Sequence, residues 1–255
     1  MVILPFPHYL QVIRREGDLL LGAAAANLDA AVPSCPGWTV RDLLAHVGAV
    51  HRKKEQIVRE RITDRSPQDA VPPNDDAGLV EWCRSGLDEL TATLAATDPA
   101  TPVFTWYSAD QTAGFWCRRM AHETAIHRVD AEAAFGHVSP LDPQTAADGL
   151  DELLGPVICA YTEDPRWEYR PDGRVVLLRA PDAAREFRLL LGEGSEGPGW
   201  AIAEGGHGHP DTTVTAGAWD LDLWSWGRLP ATGLRVEGAG SLLESIRQTV
   251  LRATQ

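Results

Sequence analysis

The first half of the chain carries apolar residues at helical spacing in four long segments. Apolar positions recur every three or four residues, which predicts amphipathic helices, over residues 9–31, 39–61, 79–96 and 111–135. Loops rich in proline and polar residues separate these segments. Four helices joined by modest loops predict a four-helix bundle, in which ligands are held by side chains from facing helices.

The second of these helices has the clearest start. Thr39 is followed three residues later by Asp42, a spacing that predicts a capping box. Angular spacing along this helix places His46 at the edge of the apolar stripe, so we expect its side chain at the margin of the interior. The stripe consists of Val40, Leu43, Leu44, Val47 and Val50.

The pattern changes after residue 138. Residues 136–143 are rich in turn formers and predict a domain boundary, with one domain over residues 1–138 and a second over residues 139–255. The second domain mixes helices with short β-type runs separated by turns, which predicts an α+β fold. The predicted helices are 144–161, 218–228 and 241–253, and the predicted strands are 174–179, 186–191, 200–204, 212–216 and 234–237.

The charge and the cysteine content of the chain limit the partners and the cellular environment that it can have. The 255 residues include 36 acidic and 23 basic ones, for a net charge of -13, which argues against nucleic acid or an anionic membrane as partner. Almost all basic residues are arginines; we interpret the scarcity of lysine, limited to Lys53 and Lys54, first as genome bias. The four cysteines contain no Cys-x-x-Cys pair, which fits free thiols in a reducing cytosol.

No membrane or secretory segment is predicted. No run approaches the roughly 18 apolar residues of a membrane-spanning helix, and the apolar N-terminal run is too short for a signal peptide. We therefore expect a cytoplasmic protein.

The candidate chemistry lies in the fourth helix. Glu123 and His127, four residues apart, project from one face, and Asp130 follows close to that face. A carboxylate and an imidazole supply two of the three protein ligands that a catalytic zinc site needs. His122 lies about 140° from His127 around the helix, so these two histidines should not bind one ion together. A third ligand would have to come from elsewhere in the chain.

Each of these residues also has an interpretation without a metal. Glu123 and His127 can form a simple ion pair, and His46 taken alone is more often a hydrogen-bonded histidine at a core margin. Asp130 either pairs with an arginine on the helix surface, Arg119 or Arg128, or orients the ring of His127.

Two further motifs carry no function in our interpretation. Residues 192–197 match the dinucleotide-binding fingerprint, but they lie between predicted strands and include two glutamates, so we predict a hairpin loop. The His207-Gly208-His209 run lacks a preorganised third ligand and predicts a solvated turn.

Two stretches together resemble a known family. They are Pro33 to Gly48, which reads PSCPGWTVRDLLAHVG, and His122 to Glu132, which reads HETAIHRVDAE. Both are similar to motifs of the mycothiol-dependent maleylpyruvate isomerase family, and the resemblance extends over essentially the whole chain. It implies a DinB-like four-helix bundle followed by an α+β domain that looks like a distant relative of sterol carrier proteins.

The resemblance also implies a site. By position, His46, Glu123 and His127 correspond to the residues that bind a divalent metal, usually zinc, in the family. Arg228, in the run Trp226-Gly227-Arg228, is the match to an essential arginine of the second domain. The alternative for Arg228 is a cation at the C-terminus of a helix.

The function implied is that of an enzyme that activates the thiolate of mycothiol. In an isomerase the thiolate adds to the double bond of an acid such as maleylpyruvate, and leaves after rotation. A mycothiol S-transferase acting on other electrophiles would use the same ligands, and a non-enzymatic metal- or ligand-binding protein is a further alternative. We expect a small substrate and a low-molecular-weight thiol as partners, and a monomer because the second domain can cover the site.

Overall fold

The structure is a computed structural model that describes residues 4–158, 170–194, 197–202 and 208–253. In this part of the chain there are seven α-helices and one five-stranded sheet, which confirms the predicted α+β class. Contacts divide the chain into two compact units, Leu4 to Ser139 and the residues from Pro140 onward. None of the helices described is long and apolar enough to cross a membrane.

Four long helices make up the first unit. They are α1 (Phe6–Ala24), α2 (Val40–Arg59), α3 (Asp76–Ala96) and α4 (Ala113–Ala133). Helix α1 packs on α4 and α3, and α2 packs on α3 and α4. All four contribute to one hydrophobic core, so each predicted amphipathic segment buries its apolar face.

The predicted end of the first helix is wrong. Helix α1 stops at Ala24, and Ala31 instead forms an isolated β-bridge with Thr39. Backbone N–H groups at the start of α2 donate to this segment, Val40 to the Ala30 carbonyl at 2.9 Å and Arg41 to the Leu28 carbonyl at 2.8 Å. These hydrogen bonds satisfy backbone N–H groups that have no acceptor within α2. They therefore favour a non-helical connection before α2 over a longer α1.

The start of α2 has the predicted capping box. The Thr39 N–H donates to the Asp42 carboxylate at 2.8 Å, and the Asp42 N–H lies 3.4 Å from the Thr39 hydroxyl oxygen. Further along α2, a Cβ at Gly48 would run into the indole ring of Trp82 on α3. Glycine at this position therefore permits the close approach of α2 and α3.

Helix α4 is buried on nearly all sides, whereas its sequence predicted a single buried face. Seventeen of its 21 residues are buried. They include charged residues, which are buried only when they are paired. The buried charged residues of α4 are Arg118, Arg119, Arg128, Asp130 and Glu132.

One of these charges links α4 to α1. The guanidinium of Arg128 donates to Glu16 of α1 at 2.7 Å and to Glu132 at 2.8 Å. It also donates to the carbonyl of Ser139, whose N–H donates to Glu132 at 2.7 Å. The network therefore joins two helices and the last residue of the first unit.

The second unit is built around a mixed sheet. The strands are β1 (Arg170–Ala180), β2 (Arg185–Gly194), β3 (Gly197–Ile202), β4 (Thr212–Thr215) and β5 (Arg235–Gly238), and the helices are α5 (Pro143–Glu152), α6 (Ala218–Ser225) and α7 (Leu242–Ala253). The strands run in the order β3-β2-β1-β4-β5, with β1 and β4 parallel and the other pairs antiparallel.

Every predicted element of this unit is present within the described residues. After α5 the chain continues as a π-helical turn, Leu153–Val157. The predicted ends at residues 161 and 204 lie outside the described part, as do Cys159 and His207.

The described residues of the glycine-rich run 192–197 lie in two antiparallel strands that pair with each other. Gly192 and Gly194 lie in β2 and Gly197 starts β3, with Gly194 paired to Gly197. A strand rather than a helix follows the run, so no helix N-terminus is available for a pyrophosphate. Residues 195 and 196 lie outside the described part.

The described cysteines are free thiols, as predicted. Cys83 and Cys117 are buried and Cys35 is half-buried. Burial raises the thiol pKa of both Cys83 and Cys117 to about 12, so neither is a candidate nucleophile.

Replacing Arg128 with methionine is expected to lower the free energy of unfolding by about 3–5 kcal/mol, because it leaves Glu16 buried without its closest partner. Denaturant unfolding measures the change. Asp88→Ala is the control, since it removes a pair with Arg14 whose side chains are 54% and 42% exposed, and should cost no more than about 1 kcal/mol. If both variants lost the same small amount of unfolding free energy, the importance of the buried Arg128–Glu16 pair would be contradicted.

Candidate metal centre

Three side chains of the first unit lie close together, those of His46, Glu123 and His127. Each of these residues offers one ligand atom, and the three atoms lie within 4.8 Å of one another. The Oε1 atom of Glu123 is 3.4 Å from Nε2 of His46 and 3.3 Å from Nε2 of His127. Within the described part of the chain this is the only group of three or more potential metal-binding side chains.

The spacing of these atoms fits a divalent ion. Ligands at about 2.0–2.1 Å in a tetrahedral zinc site are roughly 3.3–3.5 Å from each other, and the two measured separations, 3.4 and 3.3 Å, lie in that range. Two imidazole nitrogens and one carboxylate oxygen are also the donor types of catalytic zinc sites, which keep a fourth position open.

Two helices position the three groups. Glu123 and His127 are one turn apart on α4, and His46 approaches from α2 with its ring centroid 5.0 Å from that of His127. The centroid of the His46 ring also lies 5.2 Å from that of the Trp38 ring. The His46 side chain is 38% exposed, against 18% for Glu123 and 13% for His127, so the site is most accessible at His46.

Asp130 orients the His127 ring. Its Oδ2 atom lies 2.9 Å from Nδ1 of His127, and its Oδ1 atom accepts from the Ser34 hydroxyl. The Cys35 thiol lies 3.7 Å from Oδ2. Asp130 is fully buried, so the surface-acid interpretation is wrong, and the hydrogen bond at Nδ1 directs Nε2 toward Glu123.

Arg119 is a further member of the site, which the sequence analysis considered only as one alternative partner of Asp130. Its guanidinium binds Oε2 of Glu123, the oxygen that does not face the two histidines. Burial alone would raise the pKa of Glu123, but Arg119 and His127 hold that pKa well below its ordinary value. The spacing of four residues on one helix is the signal that predicts this pair.

Without a metal, His127 is a cation. Burial alone would lower its pKa, but the charge of Glu123 and the hydrogen bond to Asp130 outweigh burial and raise the pKa to about 9. The ion pair that competes with a metal site is thus present in the metal-free protein. A metal ion would replace the proton at Nε2.

His51, which the sequence analysis did not consider, is a buried residue that interacts electrostatically with Glu123, His127 and His46. It is 2% exposed, and its Nε2 atom lies 2.9 Å from the Thr124 hydroxyl. That hydroxyl donates to the Met120 carbonyl at 2.6 Å, so Nε2 of His51 is the donor. Burial lowers the pKa of His51 to about 4, which keeps the ring neutral.

Two other residues considered in the sequence lie elsewhere. His122 is buried with its ring centroid 6.1 Å from that of Tyr9 on α1, and it is not in the metal-binding group, as predicted. Arg228 belongs to the second unit and follows α6.

The backbone at Arg228 has helix-terminating geometry. Gly227 has a φ of 81°, and the Arg228 N–H donates to the Leu223 carbonyl at 2.7 Å. Its guanidinium donates to the Trp226 carbonyl at 2.7 Å. This geometry is that of a cation after a glycine at a helix C-terminus. A role for Arg228 in substrate binding stays a prediction.

Comparisons with known proteins show that the first unit is similar to a known family. Residues 10–132 match the family model described as "Mycothiol maleylpyruvate isomerase N-terminal domain", a range that contains His46, Glu123 and His127. No curated protein matches the chain in sequence.

Two crystal structures of the mycothiol-dependent maleylpyruvate isomerase are similar in fold. One, of a histidine-to-alanine mutant, has a TM-score of 0.61, and the other has 0.58. Both are 14% identical, and each alignment covers 92% of this chain and 93% of the crystallised one. The likeness to the mycothiol maleylpyruvate isomerase N-terminal domain therefore rests on residues 10–132, which are 123 of the 255 residues, and the solved structures add a similarity of fold.

Proposed function

We propose that the protein is a mycothiol-dependent enzyme that uses a divalent metal, with zinc as the first candidate, to isomerise a small cis-enedione acid of the maleylpyruvate type. The observation that carries the proposal is the convergence of His46, Glu123 and His127, with Glu123 Oε1 3.4 Å from His46 Nε2 and 3.3 Å from His127 Nε2. The match of residues 10–132 to the isomerase N-terminal domain supports it.

The proposal extends to the domains. Residues 1–138 would form a DinB-like metal-binding four-helix bundle, and residues 139–255 a domain related to sterol carrier proteins. A monomeric, cytoplasmic protein with no nucleic acid or membrane partner completes the proposal. The net charge of -13 is consistent with it.

Each residue of the site has a defined part in holding the metal. His46, Glu123 and His127 would bind it, and three protein ligands leave one position for a thiol. A divalent metal held there supplies Lewis acidity that lowers the pKa of the thiol. Asp130 fixes the His127 ring, and Arg119 engages the second oxygen of Glu123, which leaves Oε1 for the metal.

The proposed reaction is reversible addition of the thiol to the conjugated double bond. Rotation about the resulting single bond and elimination return the thiol unchanged and the double bond with new geometry. Arg228 is proposed to bind a substrate carboxylate through its planar guanidinium.

Zinc-reconstituted protein is expected to convert maleylpyruvate into fumarylpyruvate only when mycothiol is present. His46→Ala should bind zinc at least roughly 100-fold more weakly, since loss of a ligand should exceed the loss of a supporting partner, and should lose turnover. His137→Ala is the matched control, because His137 is exposed beyond the end of α4. Metal analysis and product chromatography measure the two effects.

Other outcomes of that experiment point to other functions. Wild-type protein without bound metal after reconstitution would contradict the metal site. A stable mycothiol conjugate as product would indicate an S-transferase. Thermal stabilisation by mycothiol without turnover would indicate a binding protein.

Asp130→Asn is expected to weaken zinc binding by roughly 10- to 100-fold, because the amide is a poorer partner than a carboxylate for the Nδ1–H of His127. Competition with a chromogenic chelator measures the affinity. The melting temperature of the metal-free variant controls for a general loss of structure. Unchanged zinc affinity in a folded variant would show that Asp130 does not support the ligand.

The metal-free protein is expected to lose stability as the pH rises from about 6.5 to about 9. The folded pKa of His127 is about 9 and its unfolded value is about 6.5, so the folded state binds more protons in this window. The stabilisation is complete below the unfolded pKa and is lost as the pH passes the folded one. Denaturant unfolding in excess chelator should show a decline of up to roughly 3 kcal/mol.

His127→Gln is the control for this pH dependence. It should flatten the profile between these two pH values, because it removes the group assigned to the titration there. The same decline in wild type and variant would contradict the assignment to His127.

A further inference from the structure

Lys54 lies on the helix that carries His46 but takes no part in the site described so far. It follows His46 by about two turns on α2, and its Nζ atom is 4.2 Å from the centroid of the Trp116 ring. Trp116 is fully buried on α4, two turns before Glu123, and its indole N–H donates to the Phe104 carbonyl at 2.7 Å. The ammonium is therefore held against a fixed aromatic surface between the two helices that carry the metal ligands.

The ammonium of Lys54 has no carboxylate at ion-pair distance among the described residues. The neighbouring Lys53 pairs with Asp69 at 2.8 Å. Arg119, the other cation near Glu123, already donates to that carboxylate. Lys54 is thus the cation of this region that remains available to an anionic ligand.

The surroundings of Lys54 disfavour its charge. Burial lowers its pKa to about 8; Lys53 and Arg119 act in the same direction, while Glu123 and Asp69 oppose the shift. A partly desolvated cation without a counterion raises the free energy of the folded protein. The contact with the Trp116 ring offsets only part of that cost, on the order of 1 kcal/mol.

A purely structural role explains less of this arrangement. A lysine stem can cover an aromatic ring while its ammonium extends into water. Here the ammonium itself lies over the ring. Lysine is also rare in this protein, because Lys53 and Lys54 are the only lysines and all other basic residues are arginines.

We propose that Lys54 binds a carboxylate of the organic acid that reacts at the metal centre. The inference rests on the proposed function and names the group that selects an acidic substrate. A rise of about 1.5 Å per residue separates Trp116 from Glu123 by roughly 10 Å along α4. A small extended organic acid can span that distance, with its double bond near the open metal position and its carboxylate at Lys54.

A binding experiment with maleate, a simple dicarboxylate, tests the inference apart from turnover. Calorimetry on zinc-loaded protein should show that Lys54→Met weakens maleate binding by roughly 10-fold or more, the effect of losing one hydrogen bond to a charged group. Methionine keeps an apolar stem over Trp116. Lys54→Arg, which keeps the charge, should restore most of the affinity.

Lys53→Met is the matched control. It removes the adjacent ammonium, which is held by Asp69, and should leave maleate affinity unchanged. Zinc content and melting temperature identify any variant that has lost its structure, and Lys54→Gln replaces Lys54→Met if that variant does not fold. With maleylpyruvate and mycothiol, Lys54→Met should raise KM by a similar factor and change kcat little.

The outcomes separate this inference from the proposed function. Maleate binding that depends on Lys54, in a protein without isomerase turnover, supports the anion site and overturns the proposed reaction. An active wild type whose KM and maleate affinity are unchanged in Lys54→Met overturns the role of Lys54 alone. Wild-type protein that does not bind maleate also overturns it.

Discussion

The desolvated carboxylate of Glu123 is the constraint on which the candidate site depends. It stays ionised at 18% exposure because positive or polar groups approach both of its oxygens, Arg119 at one and the two histidines at the other. Removing any of these partners leaves a charge with fewer compensating contacts. Because Arg119 binds Oε2 of Glu123, the Oε1 atom remains directed at the place where a metal would bind.

This arrangement is part of a more general property of α4. A helix buried on nearly all sides would normally be apolar, yet α4 carries buried charges at several positions. Each described one has partners, as the contacts of Arg128 with Glu16 and Glu132 illustrate. Polar networks of this kind are costly when incomplete. They therefore restrict which residues α1 and α2 can present to α4, and they fix the geometry of the site.

Support for the site comes from distant parts of the chain. Ser34, in the connection between α1 and α2, donates to Asp130, which in turn holds His127. The same connection ends in the capping box that starts α2, the helix that carries His46. Trp38, just before the cap, packs its ring near that of His46. The motif around residues 33–48 thus combines one ligand with the structure that orients another.

The sequence by itself determined the elements and the local pairs, because helical spacing and capping depend on residues three or four positions apart. It predicted the α+β class, the capping box of Thr39 and the shared face of Glu123 and His127. Its spacing did not identify His46 as the third partner, which came from the family resemblance.

Only the tertiary structure decided contacts between residues far apart in the chain. It placed His46 beside Glu123, buried Asp130 against Ser34, and positioned Lys54 over Trp116. It also ended α1 early, since the start of α2 takes its hydrogen-bond acceptors from residues 28 and 30. Burial and the partner of a charge are set by which helices pack together, and neither can be read from the spacing of residues along one helix.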